Sequence, residues 1–238
     1  MTRLALLLLA AAIASPAPAQ TNAALEKRVA AYRDRVERLK DQDAIENLQA
    51  AYGYYFDKSL WGEVSALFAA DGSFEYGQRG IYVGPRRIRQ ALLLFGAEGP
   101  QRGVLNTHMQ LQSVIHVAPD GRSAKARWRG MVQLSRPNQN GQWGEGTYEN
   151  AYVKQDGVWK IASLHFYVTG FTDYDAGWAK SAIPMEGPSA LLPPDRPPSE
   201  IYRSYPGVYI PPFDYPHPVT GKPIAPPRPA DSILKDRK

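Results

Sequence analysis

Two residues in this chain have side chains suited to proton transfer, one carboxylate and one imidazole. Asp57 sits among Tyr52, Tyr54, Tyr55, Phe56 and Trp61. Aromatic neighbours keep water from an acid, and desolvation raises its pKa. Such an acid can act as general base, as general acid, or as the orienting partner of a histidine. The plainer reading is a cap or surface acid at a break between helices, where aspartate is common. His108 is the candidate partner, because an imidazole titrates near neutral pH and moves protons in either direction. Alternation groups it with Asn106, Gln110 and Gln112, a polar face suited to solvent or to a pocket. As plain structure it would be a hydrogen-bonded sheet histidine. An Asp57–His108 pair would fix the tautomer and stabilise the imidazolium.

Tyr76 and Tyr148 are candidate hydroxyl donors to a substrate oxygen that gains negative charge. With Asp57 and His108 they form the expected catalytic set. Tyr52, Tyr55, Trp61, Trp128, Asn150 and His165 complete the expected site as substrate-contacting residues. Tyr148, Asn150 and Tyr152 share one face of an extended segment, and Glu149 lies on the other. His165 groups with Trp159, Ile161, Ser163 and Tyr167, as a buried structural histidine or as a second imidazole at the pocket. His116 and His217 read as structural.

Several other chemistries are excluded. There are no cysteines, so no disulfide, thiolate metal site or cysteine nucleophile. The histidines lack the short spacings of metal motifs, so no metal is expected. No G-x-S-x-G elbow and no phosphate-binding glycine loop is present, and no cofactor is expected. The net charge of +5 is small and its lysines and arginines alternate with acids, which argues against nucleic acid as a partner.

The elements that would position these groups follow from periodicity. Met1–Ala19 reads as a secretory signal, with Arg3, the apolar run Leu4–Ala14 and the Ala17-Pro18-Ala19 cleavage pattern. The expected location is outside the cytoplasm, in the periplasm if the source is Gram-negative, with no integral membrane span. Leu25, Val29, Tyr32, Val36 and Leu39 make a narrow helical seam over 20–40, which could pack on the domain or on a second subunit; a homo-oligomer, dimer or trimer, is expected. The pattern restarts after Asp41 with Ile45, Leu48, Tyr52 and Phe56. A second short helix is predicted over Glu63–Ala70, ending at Asp71-Gly72. A third, Arg86–Phe95, is opened by Pro85 and closed by Gly96. Short strands are predicted at Ser73–Tyr76 and Gly80–Val83. Four long strands follow, about Val104–Val117, Ser123–Ser135, Trp143–Gln155 and Val158–Thr169, with one apolar face that needs helices to cover it. The last segment, 183–238, holds 15 of the 21 prolines but is too apolar for a plain linker. It reads as an extended arm wrapping the domain or a neighbour, loose from about Lys222.

Helices followed by a strongly curved antiparallel sheet resemble the α+β cone of the NTF2-like superfamily and its SnoaL-like members. The resemblance rests on Tyr55-Phe56-Asp57 with Trp61, on Leu67-Phe68 with Asp71-Gly72, on Gly84, His108 and Tyr148, and on Asp156–Ile161. It covers roughly Asp41–Thr169, within a domain predicted over 41–182. The site is similar to scytalone dehydratase in Phe56-Asp57 with Trp61, Tyr76 and His108. That enzyme's second sheet histidine has no counterpart, since the next strand offers only Trp128 and Arg129. The leader, the aromatic content and the proline-rich tail resemble sphingomonad diarylpropane and phenylcoumaran formaldehyde lyases. The resemblance implies a cofactor-independent lyase acting on a hydroxylated aromatic small molecule, by loss of water or of formaldehyde. An isomerase or cyclase of a steroid- or polyketide-like substrate would use the same parts, and a non-catalytic periplasmic binding protein would use the same fold.

Overall fold

The computed structural model describes residues 22–139 and 141–225. The expected signal segment and the tail beyond 225 lie outside the described residues. Among the described residues no helix is long and apolar enough to cross a membrane.

The element order is α1 (Asn22–Asp57), α2 (Trp61–Ala66), β1 (Phe68–Tyr76), β2 (Ile81–Val83), α3 (Pro85–Leu92) with a 3-10 turn at Leu93–Phe95, then β3 (Leu105–Val117), β4 (Ser123–Ser135), β5 (Gln142–Gln155) and β6 (Val158–Asp173). The six strands form one sheet in the order β2-β1-β6-β5-β4-β3. All neighbours are antiparallel except β1 and β6, which run parallel. The predicted α+β architecture, helices packed on a curved and mostly antiparallel sheet, is the one observed.

Two predicted boundaries move. The restart of the apolar pattern at Asp41 is not a break, because α1 runs without interruption from Asn22 to Asp57. Along it the surroundings change instead: Leu25, Val29, Tyr32, Val36 and Leu39 are exposed, while Ile45, Tyr52 and Phe56 are buried. The second helix ends early, at Ala66, and Phe68–Ala70 belongs to β1. Strand β6 supplies the reason. The Ile161 N–H donates to the Leu67 carbonyl at 2.9 Å, and Phe68 pairs with Ile161 before a register shift restores pairing at Ser73. Backbone partners in a sheet outweigh a short helix's propensity.

The core lies on one face of the sheet, between it and the C-terminal half of α1 with α2 and α3. Ile45, Tyr52 and Phe56 meet Trp61, Ile88, Tyr148, Ile161 and Phe166 there. The opposite face is not left to water. The chain after β6 crosses it from one edge of the sheet to the other. Ile81 of β2 bonds Asp195 and Arg196, and Glu75 of β1 bonds Ser199. On β6, Tyr167 stacks on Tyr209, and the Val168 N–H donates to the Tyr202 hydroxyl. Arg127 of β4 donates to the Pro211 and Pro212 carbonyls, and His116 of β3 stacks on Tyr215. Prolines suit this course because the arm needs few donors of its own.

Candidate active site

A cavity of about 540 Å³ opens between the end of α1, the β1–β2 turn, the start of β3 and the chain after β6. Asp57, Tyr76 and His108 reach its wall, together with Arg79, Phe95 and Met185.

Asp57 is the last residue of α1, and β3 is an edge strand with outward N–H groups that need acceptors. The two features meet. Asp57 Oδ1 accepts the His108 backbone N–H at 2.6 Å, and Asn106 Nδ2 donates to the Phe56 carbonyl at 3.2 Å. The aspartate thus fastens β3 to the helix end and sets where His108 stands. The predicted side-chain hydrogen bond is not made: Nδ1 of His108 is 3.9 Å from Oδ1 of Asp57, beyond the roughly 3.2 Å reach of a hydrogen bond. It is within the range in which a carboxylate still favours an imidazolium.

The His108 ring is buried, packs on Phe56 with centroids 4.3 Å apart, and has an Nδ1 without a hydrogen-bond partner. Burial lowers its pKa to about 3, so the imidazole is neutral at pH 7. Burial also raises the Asp57 pKa, against the downward pull of the His108 N–H and of Lys58. Tyr76 is held well above the ordinary phenol value by desolvation, so it stays a donor.

The other predicted site residues stand behind this wall. Tyr148 is fully buried, meets Tyr52 edge-on with centroids 6.0 Å apart, and is pushed up to about 12 chiefly by burial. The Gln110 amide lies 3.5 Å from its hydroxyl. Tyr52 is likewise buried, with its hydroxyl unpartnered. Tyr55 is half-buried against the core. Trp61 is a strut: its Nε1 donates to the Gly96 carbonyl at 3.0 Å and its ring meets Phe56. Trp128 and Asn150 belong to a buried polar layer. Trp128 Nε1 donates to the Tyr152 hydroxyl, and Asn150 Nδ2 donates to Gln49 Oε1. Gln49 donates in turn to Gln110, which donates to the His108 carbonyl at 2.9 Å. That chain braces the strand on which His108 is carried.

His165 lies on the opposite face of the sheet from the cavity. A register shift between Ala151 and Tyr152, opposite β6, changes the alternation, so Leu164 and Phe166 join the core and His165 does not share a face with Ile161. Its Nδ1 is 3.3 Å from Glu75, and its ring stacks on Tyr167 at 3.6 Å.

The sequence reading missed Arg79, Phe95 and Met185. Arg79 sits in the Gly77–Gly80 turn, and a charged residue between turn glycines was the available signal. Phe95, just before Gly96, reads in the sequence as a helix end. Met185 lies in a segment without periodicity. Among the described residues no group of three or more His, Cys, Asp or Glu gathers as metal ligands would.

Comparison with known proteins bears on the same stretch that builds this wall. The model of the SnoaL-like domain matches residues 37–165, more than half of the chain. The chain belongs to the SnoaL-like family. No curated protein sequence matches it. Among solved structures, this SnoaL-like chain is similar to a scytalone dehydratase candidate from Novosphingobium aromaticivorans, with TM-score 0.51, 22% identity, and coverage of 66% of this chain and 97% of that one. It is also similar to hexachlorocyclohexane dehydrochlorinase LinA-type3 from Novosphingobium barchaimii, with TM-score 0.52, 19% identity, and coverage of 60% and 95%. At these identities the likeness is one of fold. The SnoaL-like match ends at 165, within β6, and the arm that follows lies outside the matched region.

Proposed function

We propose that the protein is a cofactor-independent lyase acting on a hydroxylated aromatic small molecule, exported by its leader. The observation that carries this reading is His108, a neutral imidazole with a free ring nitrogen beside a carboxylate, at the wall of a cavity that Tyr76, Phe95 and Phe171 also line. A base of this kind needs no redox partner to eliminate water or formaldehyde.

For a diaryl propanediol the electrons balance as follows. His108 takes the proton of the terminal hydroxyl. The bond to that carbon breaks, releasing formaldehyde, and its electron pair forms the central double bond. The benzylic oxygen departs and receives the proton back as water. Asp57 stabilises the imidazolium while it lasts, and the Tyr76 hydroxyl donates to the departing oxygen. In simple dehydration the proton comes from carbon and only water leaves. The similarity in fold to proteins described as a dehydratase and a dehydrochlorinase supports elimination as the reaction class.

Incubation with a hydroxylated diaryl propanediol tests this. The expected result is formaldehyde in equal amount to a conjugated diaryl product. Substrate returned unchanged would overturn it. The 3.9 Å gap between Asp57 and His108 favours a second reading, a non-catalytic binding protein. That reading gains if the diol binds measurably and is recovered intact.

A further inference from the structure

The cavity wall carries the cations Lys58, Arg79 and Arg136 and the carboxylates Asp57 and Glu186. Arg79 differs from the other cations in how it is held. Its guanidinium lies 4.6 Å from the Phe95 ring centroid and 5.8 Å from that of Tyr76. Its side chain is only 19% exposed, whereas that of Glu186, its ion-pair partner, is 72% exposed. The cation is therefore built into the wall, and its counterion reaches in from solvent on the chain that follows β6.

The turn that presents Arg79 is closely pinned. Arg79 N–H donates to the Tyr76 carbonyl at 3.1 Å. Gly77 and Gly80 have φ of 56° and 85°, which favours glycine. A Cβ on Gly77 would stand 2.9 Å from the Met185 sulfur, and one on Gly80 would stand 2.5 Å from Pro194. The arm thus clasps the turn at both glycines.

We infer that Arg79 is a specificity-determining residue that recognises the carboxylate of an aromatic acid, and that Glu186 occupies the place of that carboxylate in this structure. A planar guanidinium matches a carboxylate through paired hydrogen bonds, and the Phe95 ring beside it offers a face on which the cation rests. A ligand carboxylate enters by exchanging one ion pair for another, so the half-buried cation is never left unpaired. The aromatic body of the ligand then lies along Phe95 and Tyr76, toward His108 on the same cavity wall. This deepens the reading above and rests on its assignment of the cavity to aromatic molecules. It adds that the preferred substrates are acids, with the charge at the Arg79 end and the reacting carbon at the His108 end.

Calorimetric titration of the full chain with 4′-hydroxybiphenyl-4-carboxylate and with the corresponding carboxamide tests it. The acid is expected to bind about 10- to 100-fold more tightly than the neutral amide. Arg79→Gln removes that preference, and Arg79→Lys, which keeps the charge but loses the fork, retains part of it. Glu186→Gln strengthens acid binding by about 2- to 5-fold and leaves the amide unchanged. Circular dichroism melting shows that each variant is folded. Equal binding of acid and amide, an acid preference that survives Arg79→Gln, or no binding of the acid to either wild type or Glu186→Gln would each overturn the inference. His108→Ala is titrated alongside. Acid preference there, with no turnover of any diol by wild type, sinks the lyase chemistry and leaves the recognition standing. Turnover of neutral diols without acid preference does the reverse.

Discussion

The two faces of the sheet each hold a histidine beside a carboxylate, and they put it to different use. His108 on the concave side stands 3.9 Å from Asp57, and His165 on the outer side stands 3.3 Å from Glu75. Burial lowers both imidazoles to about 3, and each has one ring nitrogen without a partner. By charge they are near twins. What separates them is access. His108 borders a cavity, whereas His165 is covered by Tyr167 and by the arm, with Ser199 bonding Glu75 through both its N–H and its hydroxyl. A perturbed histidine is therefore not by itself a site. The same pair acts as a structural clasp where chain covers it and as a candidate base where space is left beside it.

The comparison can be broken first at Asp57. Asparagine there keeps an oxygen for the His108 N–H but removes the charge that stabilises the imidazolium. Asp57→Asn is expected to lower kcat/KM about 10- to 100-fold with the melting curve unchanged, as steady-state assay and calorimetry would show. Loss of fold instead would mean that Asp57 is only a clasp, like Glu75. Next, Tyr76→Phe removes a donor to the leaving oxygen and should cost about 10-fold in kcat with little change in KM.

Acid stability compares the faces without reference to catalysis. Unfolded histidine titrates near 6.5, and both histidines titrate near 3 when folded. Between those values the unfolded chain binds protons that the folded chain refuses. Their contribution is harmless above about pH 6.5 and grows more destabilising as pH falls toward 3, by up to roughly 1.4 kcal/mol per pH unit for each histidine. Glu149, raised to about 7 mainly by burial, acts in the opposite sense and favours the folded state as pH falls below 7. The difference between variants isolates the histidines: His165→Gln should flatten the acid limb of a denaturant-stability curve by about one histidine's share. An unchanged slope would show that His165 is not buried neutral. The smallest effect belongs to the clasp, where Ser199→Ala should cost about 1 kcal/mol in stability and leave turnover within about two-fold.

Legibility followed the same division. The long strands were readable because alternation is set by one buried face, and Ser123–Ser135 matches β4 end for end. The pairing of Phe68 with β6 was not readable, since no local pattern announces a parallel partner some ninety residues away. Asp57, Tyr76 and His108 were legible as aromatic-flanked or strand-borne polar residues, and they reach one cavity. His165 was assigned to the wrong face because a single register shift inverts alternation. Trp128 and Asn150 were on the correct face, but periodicity does not tell how deep in the cone a residue lies. Arg79 and Met185 escaped because their proximity depends on the arm, whose course across the sheet has no periodicity to read.

The most direct measurement is formaldehyde or conjugated-product release from a diaryl propanediol by two single variants, His108→Ala and His165→Gln, each confirmed folded by its melting curve. The account predicts a loss of about 10²- to 10⁴-fold for His108→Ala and a change of less than about three-fold for His165→Gln. Full activity in His108→Ala, or an equal loss in both, would contradict it.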